Sequence, residues 1–269
     1  MKLIRKYIVT GIAVLSMLAF AGVASAHSLW INVTDHSPKF EQGYGAGNKA
    51  YLGWGHHYPV DDFLRAGDVV EFSLIGPDGE KQTIAPEDNG FHAAEIKYGQ
   101  PGFYLISVVK KPGFYTVYRE GGKVRHVGEA KTGKQNVTLS LYYEQYAKSL
   151  IDVGGAEGDG YAKPLGHKLE IILLANPATL GVGGVLPVKV LFDGQPARSC
   201  VINATYGGFS SGDDYAYTGR TDNQGIAKIR LTHWGTWLIK ANVRQPATPE
   251  LEDKCNELSS SATLTLQIP

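Results

Sequence analysis

Cysteine and methionine are nearly absent from this 269-residue sequence, two of each, and charged residues make up only 19% of it. The two cysteines, Cys200 and Cys255, are too few and too far apart for a Cys-x-x-Cys redox or zinc module. The 26 basic and 26 acidic side chains cancel, which excludes a nucleic-acid reader held by counterion release. There is no glycine-rich phosphate loop ending in Lys-Ser/Thr, no Gly-x-Ser-x-Gly elbow and no His-Glu-x-x-His, so nucleotide and hydrolase chemistry find no support. One apolar run at the amino terminus is the longest present, which excludes a polytopic membrane protein. Glycine is abundant, with 33 residues beside 13 prolines and 15 tyrosines, and that composition suits short strands and turns rather than long helices or coiled coils.

Lys2, Arg5 and Lys6 precede the apolar stretch 8–23, and Ala24-Ser25-Ala26 supplies a small-x-small cleavage site. Residues 1–26 therefore read as an export signal, with an uncleaved anchor as the alternative. Cleavage leaves 23 basic against 26 acidic side chains, makes His27 the first residue, and delivers a soluble chain to the periplasm. In that oxidising compartment an even cysteine count favours a Cys200–Cys255 disulfide.

From residue 27 onward the sequence predicts an all-β protein of two antiparallel β-sandwich domains, at 27–155 and 163–269, joined by a short helix and a glycine-rich linker. Runs at 28–33, 69–75, 82–84, 91–96, 103–109 and 114–118 are strand-like. Gly76-Pro77-Asp78-Gly79 and Lys110-Lys111-Pro112-Gly113 have hairpin-turn chemistry between them. At 141–153, Leu141, Tyr142, Gln145, Tyr146, Ser149 and Leu150 recur at three- and four-residue spacing, which predicts one helix. Gly154-Gly155-Ala156-Glu157-Gly158-Asp159-Gly160 follows as the linker. The second half carries strand runs at 185–192, 199–206, 225–231, 236–243 and 261–268, with turns at Asp193-Gly194 and Thr221 to Gly225.

Six of the eight histidines lie in the first half, and imidazole is the commonest protein ligand for transition metals. After cleavage His27 offers a free α-amine and an imidazole on one residue. The amine titrates near 7.7–8.0, so a metal ion displaces its proton at neutral pH at little cost. Further ligands are expected in Gly55-His56-His57-Tyr58-Pro59-Val60-Asp61-Asp62. Neighbouring side chains on extended backbone point opposite ways, so one of His56 and His57 ligates, and which one stays open. His92 and His126 are single histidines on strand-like runs, each as readily an ordinary strand residue as a ligand. Asp61, Asp62, Glu95 and His167 are candidates for completing the shell or orienting an imidazole. His36 and His233 read as ordinary turn residues.

Ala26-His27-Ser28-Leu29-Trp30-Ile31, the Gly-His-x-x-Pro-like element at 55–59, Tyr146-Ala147-Lys148-Ser149-Leu150, Pro164-Leu165-Gly166-His167, Leu186-Pro187-Val188, Asp193-Gly194 and Thr221-Asp222-x-x-Gly225 together resemble the DUF4198 family, over nearly all of the mature chain. The resemblance implies a NikM-like or NikK-like periplasmic component of nickel and cobalt uptake whose partner is a membrane metal transporter, with a second half similar to transthyretin-like or carboxypeptidase-regulatory-like sandwiches. The expected function is capture of a divalent transition ion without catalysis. Ni2+ or Co2+ is implied by the resemblance, while nitrogen-rich ligation suits Cu2+ and Zn2+ equally. Two alternatives stand beside it: a copper oxygenase with an N-terminal histidine brace, and a metal-free sandwich that binds carbohydrate or protein.

Overall fold

The computed structural model describes residues 27–87 and 90–269, so the expected export signal at 1–26 lies outside the described residues. In chain order the strands are β1 (Ser28–Val33), β2 (Ala46–Gly55), β3 (Val69–Ile75), β4 (Lys81–Thr83), β5 (Ala94–Tyr98), β6 (Gly102–Glu120), β7 (Lys123–Val127) and β8 (Val137–Val153). They continue as β9 (Leu169–Leu173), β10 (Val185–Phe192), β11 (Gln195–Pro196), β12 (Val201–Tyr206), β13 (Tyr217–Arg220), β14 (Ile226–Arg230), β15 (Gly235–Pro246) and β16 (Glu257–Ile268). The all-β expectation holds. Single-turn 3-10 helices at Ala66–Asp68, Gly160–Ala162 and Pro177–Thr179 interrupt the strands. Among the described residues no helix is long and apolar enough to cross a membrane.

A nine-stranded sheet in the order β13-β12-β15-β16-β8-β6-β3-β4, with β7 also on β6, runs through both halves of the chain. Its junction is a parallel pairing of β16 with β8, from Glu257 opposite Leu141 to Thr265 opposite Ser149. Main-chain hydrogen bonds therefore join the expected domains 27–155 and 163–269, with the glycine-rich segment as a surface connection between β8 and β9. Two smaller sheets cover this large one: β1-β2-β5, and the group β9, β10, β11 and β14.

The period of two along each strand shows that they cover opposite faces. On β6, Phe103 and Leu105 enter the core beneath β9 and β10 with Leu169, Ile171, Val188 and Val190, whereas Tyr104, Ile106 and Val108 enter the core beneath β1 and β2 with Leu29, Ile31 and Leu52. On β8, Leu150 joins the first core and Ala147, Ile151 and Val153 the second. The middle of the large sheet is thus buried on both sides, a three-layer arrangement.

This corrects the helix expected at 141–153. That segment is all but the first four residues of a 17-residue strand whose residues Ala147 to Ile151 are all buried. A strand covered on both faces keeps apolar side chains at consecutive positions and loses the alternation that identifies a half-exposed strand. Lys110-Lys111-Pro112-Gly113 is likewise not a hairpin turn, because β6 continues through it and the pairing with β8 shifts register between Lys110 and Gly113. A bulge accommodates the proline that a regular ladder would reject. The other turns form as their residues dictate. Asp193 at φ 49° and Gly194 at φ 72° are the two positive-φ residues of a two-residue hairpin linking β10 and β11.

The expected disulfide is absent. Cys200 and Cys255 are both free and buried. The Cys200 thiol faces the Asn242 carbonyl on β15 at 3.4 Å, and Cys255 faces the Leu251 carbonyl in its own turn at 3.6 Å. Burial pushes the Cys200 thiol up to about 11, so it stays protonated.

Candidate functional site: a histidine cluster at the start of the first strand

His27 is fixed by the strand it precedes. Strand β1 lies across β16, where Thr263 Oγ1 donates to the Leu29 carbonyl and Thr265 Oγ1 to the Ile31 carbonyl, each at 2.7 Å. On its edge β1 pairs with β2, Ser28 opposite Gly55, and this register sets His27 against His56. Gln145 of β8 donates to the His27 carbonyl and accepts from Trp54 Nε1 at 3.2 Å. The His27 ring stacks on Trp54 at 4.2 Å and lies 4.4 Å from the His56 ring, with the His57 ring 6.3 Å beyond His56.

The loop after β2 is shaped by its own residues. Gly55 sits at φ 141°, and a Cβ there would meet the Asp61 carboxylate at 2.3 Å, so a side chain at 55 would displace the group that orders the loop. Asp61 Oδ2 accepts from the His56 and His57 backbone N–H groups at 2.6 and 3.2 Å, and the Asp62 N–H returns to the Trp54 carbonyl at 2.9 Å. Trp30 Nε1 and Asn32 Nδ2 both donate to the Pro59 carbonyl, at 2.8 and 2.9 Å, tying the far side of the loop to β1.

Burial and neighbouring charges set the protonation of the cluster. Burial and the His56 imidazole lower the His27 pKa against the opposing pull of Asp62 and Asp61, so this imidazole is neutral at neutral pH. Partial burial raises the Asp61 carboxyl, yet the N–H groups of His56 and His57 outweigh it and hold Asp61 below its ordinary value. Asp213, on the loop between β12 and β13, brings Oδ1 to 3.9 Å from His56 Nδ1 and to 3.9 Å from His57 Nε2. His57 Nδ1 lies 3.4 Å from Asp61 Oδ1. His56 Nδ1 is buried with no hydrogen-bond partner.

The structure thus brings together His27, His56, His57, Asp61 and Asp62 and adds Asp213, Trp54 and Gln145, which the sequence reading missed. The other expected ligands sit on different elements with their own partners. His92 is buried at φ 48°, with Nε2 at 3.0 Å from the Leu64 carbonyl. His126, on β7, lies 2.6 Å from the Tyr115 hydroxyl. Glu95 is an exposed residue of β5 opposite Lys49 on β2. His167 stacks on Tyr146 and lies 3.0 Å from the Ser107 hydroxyl, where burial takes its pKa down to about 4. His36 is no turn residue on the surface: it is buried, 2.8 Å from the Leu150 carbonyl. Among the described residues no three His, Cys, Asp or Glu side chains already stand at metal-holding geometry.

Residues 24–245 match a family model described as Domain of unknown function (DUF4198). No curated protein matches the chain. Among solved structures it is similar to the Yersinia pseudotuberculosis adhesin InvE, at 13% identity and TM-score 0.20, covering 88% of this chain and 58% of that one. It is also similar to the D00-D0 domain of Intimin, at 10% identity and TM-score 0.22, covering 90% of this chain and 99% of that one.

Proposed function

The chain belongs to the DUF4198 family, and on that premise we propose that it is an exported periplasmic protein that captures a divalent transition-metal ion and passes it to a membrane transporter. The observation that carries the reading is the convergence of His27, His56 and His57, with a buried His56 nitrogen that lacks a hydrogen-bond partner. A buried polar atom left unsatisfied costs stability, and a cation at this position would supply its missing partner.

After removal of residues 1–26, the His27 α-amine and imidazole form a chelate, and His56 or His57 supplies a third nitrogen. Asp213 is placed to balance the ion's charge and Asp61 to hold the loop that presents the histidines. A lowered His27 pKa favours this role, because only the unprotonated imidazole coordinates. The His57 side chain is 43% exposed, which suits an ion that is taken up and handed on rather than kept. Intrinsic affinity for such nitrogen donors favours copper, so Ni2+ or Co2+ as the cargo follows from the resemblance to nickel and cobalt uptake components.

Calorimetric titration of Ni2+ into protein beginning at His27 tests the proposal. One site per chain is expected, weakened about 10- to 100-fold by His27→Ala and by alanine at whichever of His56 and His57 ligates, with little change for His92→Ala or His126→Ala. Equal affinity in all of these variants would overturn it. Redox activity of the copper-loaded protein with ascorbate would instead favour the copper-oxygenase alternative.

A further inference from the structure

A groove of about 710 Å3 opens beside His27. It lies on the face of the large sheet that β1, β2 and β5 cover further along, where that cover has ended. Lys240, Asn242 and Arg244 alternate along β15 and face it, as do Ser259, Ser261 and Thr263 along β16, while Ile239, Ala241 and Leu264 turn into the core beneath β9 and β10. An antiparallel sheet commonly shows a polar face to water, but this face has two further properties. It is concave, with a volume inside the range of small-molecule sites, and Ser259 within it is 4% exposed.

It is also strongly positive in a chain with no net charge. Arg198, Arg220, Lys240 and Arg244 line it against one carboxylate, Asp213. Arg244 pairs with Glu257 at 3.6 Å. Arg220 commits one guanidinium nitrogen to the Ser199 carbonyl at 2.8 Å and keeps its remaining donors. Lys240 donates to the Tyr215 hydroxyl at 2.9 Å, which can pass a hydrogen bond on to a ligand. A cleft lined by one sign of charge concentrates ligands of the other sign. Its single acid, Asp213, is the residue that reaches the histidine cluster.

We propose that the groove binds a small organic polycarboxylate, and that the metal ion arrives as its chelate. The carboxylates are held by Arg220, Lys240 and Arg198 while the ion meets the nitrogens at His27. The second clause rests on the metal-capture reading, whereas anion binding in the groove does not.

Equilibrium dialysis of protein beginning at His27 against labelled citrate, with and without Ni2+, tests both clauses. Citrate is expected to be retained at one per chain and more tightly when Ni2+ is present. Arg220→Ala and Lys240→Ala should each weaken its retention about tenfold, the scale of one lost charge-assisted hydrogen bond, and leave binding of Ni2+ alone unchanged. Arg198→Ala, at an exposed position outside any strand, repeats the test in a variant whose folding is not at stake, with the melting temperature as the check. Citrate that is not retained, that merely strips Ni2+ from the protein, or that is retained equally by all three variants overturns the inference. If Ni2+ binds and citrate does not, metal capture stands and the groove assignment falls. If citrate binds to a chain that takes no Ni2+, the anion site stands and the chelate clause falls.

Discussion

Substituting Lys148 by Met tests what holds the layers together. Lys148 lies on β8 and Glu170 on β9, so their contact spans the space between the large sheet and one of the sheets covering it. Nζ and Oε1 are 2.7 Å apart, and the side chains are 4% and 2% exposed. Glu170 also accepts from the Leu165 and Gly166 backbone N–H groups at 2.7 and 3.0 Å. Burial lowers the Lys148 pKa while Glu170 opposes it, so the ammonium depends on its partner. Lys148→Met leaves a buried carboxylate with two backbone donors and no cation, which costs about 3–5 kcal/mol. In a chain of this size that loss corresponds to a fall in melting temperature of roughly 6–20 °C. Lys148→Met combined with Glu170→Gln removes both charges and keeps one oxygen to accept from Leu165 or Gly166, so it should regain part of the loss. Urea unfolding followed by tryptophan fluorescence measures all three variants. A Lys148→Met protein within about 1 kcal/mol of wild type, or a double variant no better than the single one, would refute the reasoning.

Three further outcomes follow from the same structure. Burial takes His36 and His167 down to about 4, whereas their unfolded value is 6.5, so the unfolded chain takes up protons in that window that the folded chain refuses. Stability is therefore complete above about pH 6.5 and falls as pH drops toward 4, by roughly 3 kcal/mol per histidine, and denaturant unfolding at pH 7 and pH 4.5 measures it. Thiol titration of unfolded, unreduced protein should find two thiols per chain, and one or none would show a bond between Cys200 and Cys255. A fragment of residues 163–269 should not fold alone, because β16 loses its β8 partner along the whole parallel pairing, and a dispersed amide spectrum from that fragment would contradict this.

Most of the strands and the tight turns were legible because their signals are local: alternation on half-exposed strands, and Asp-Gly where two positive φ angles are needed. The failures share a cause in burial on two sides. β8 carries Ala147, Lys148, Ser149, Leu150 and Ile151 at consecutive buried positions, so its pattern reads as helical, and Lys148 and Ser149 look like surface residues until β9 is laid over the first and β1 over the second. At the site, His27 and the His56–His57 loop were legible from residue type. The register that joins them, Ser28 opposite Gly55, is set by pairing across a connection that carries no short-turn signal. Asp213 and the cationic groove come from strands and loops more than 100 residues further on, brought near by the β8–β16 pairing that no local pattern announces.

The central claim, that the first mature residue is itself a chelating ligand, is tested most directly by comparing Ni2+ affinity of protein beginning at His27 with that of the same protein carrying one extra amino-terminal residue. The extension keeps every side chain and converts the His27 amine to an amide, which no longer coordinates readily at neutral pH. A fall in affinity of at least about 10- to 100-fold is expected, with further weakening of the authentic protein below about pH 6 as protons compete for the nitrogens. Equal affinity of the two proteins for Ni2+ would contradict the account.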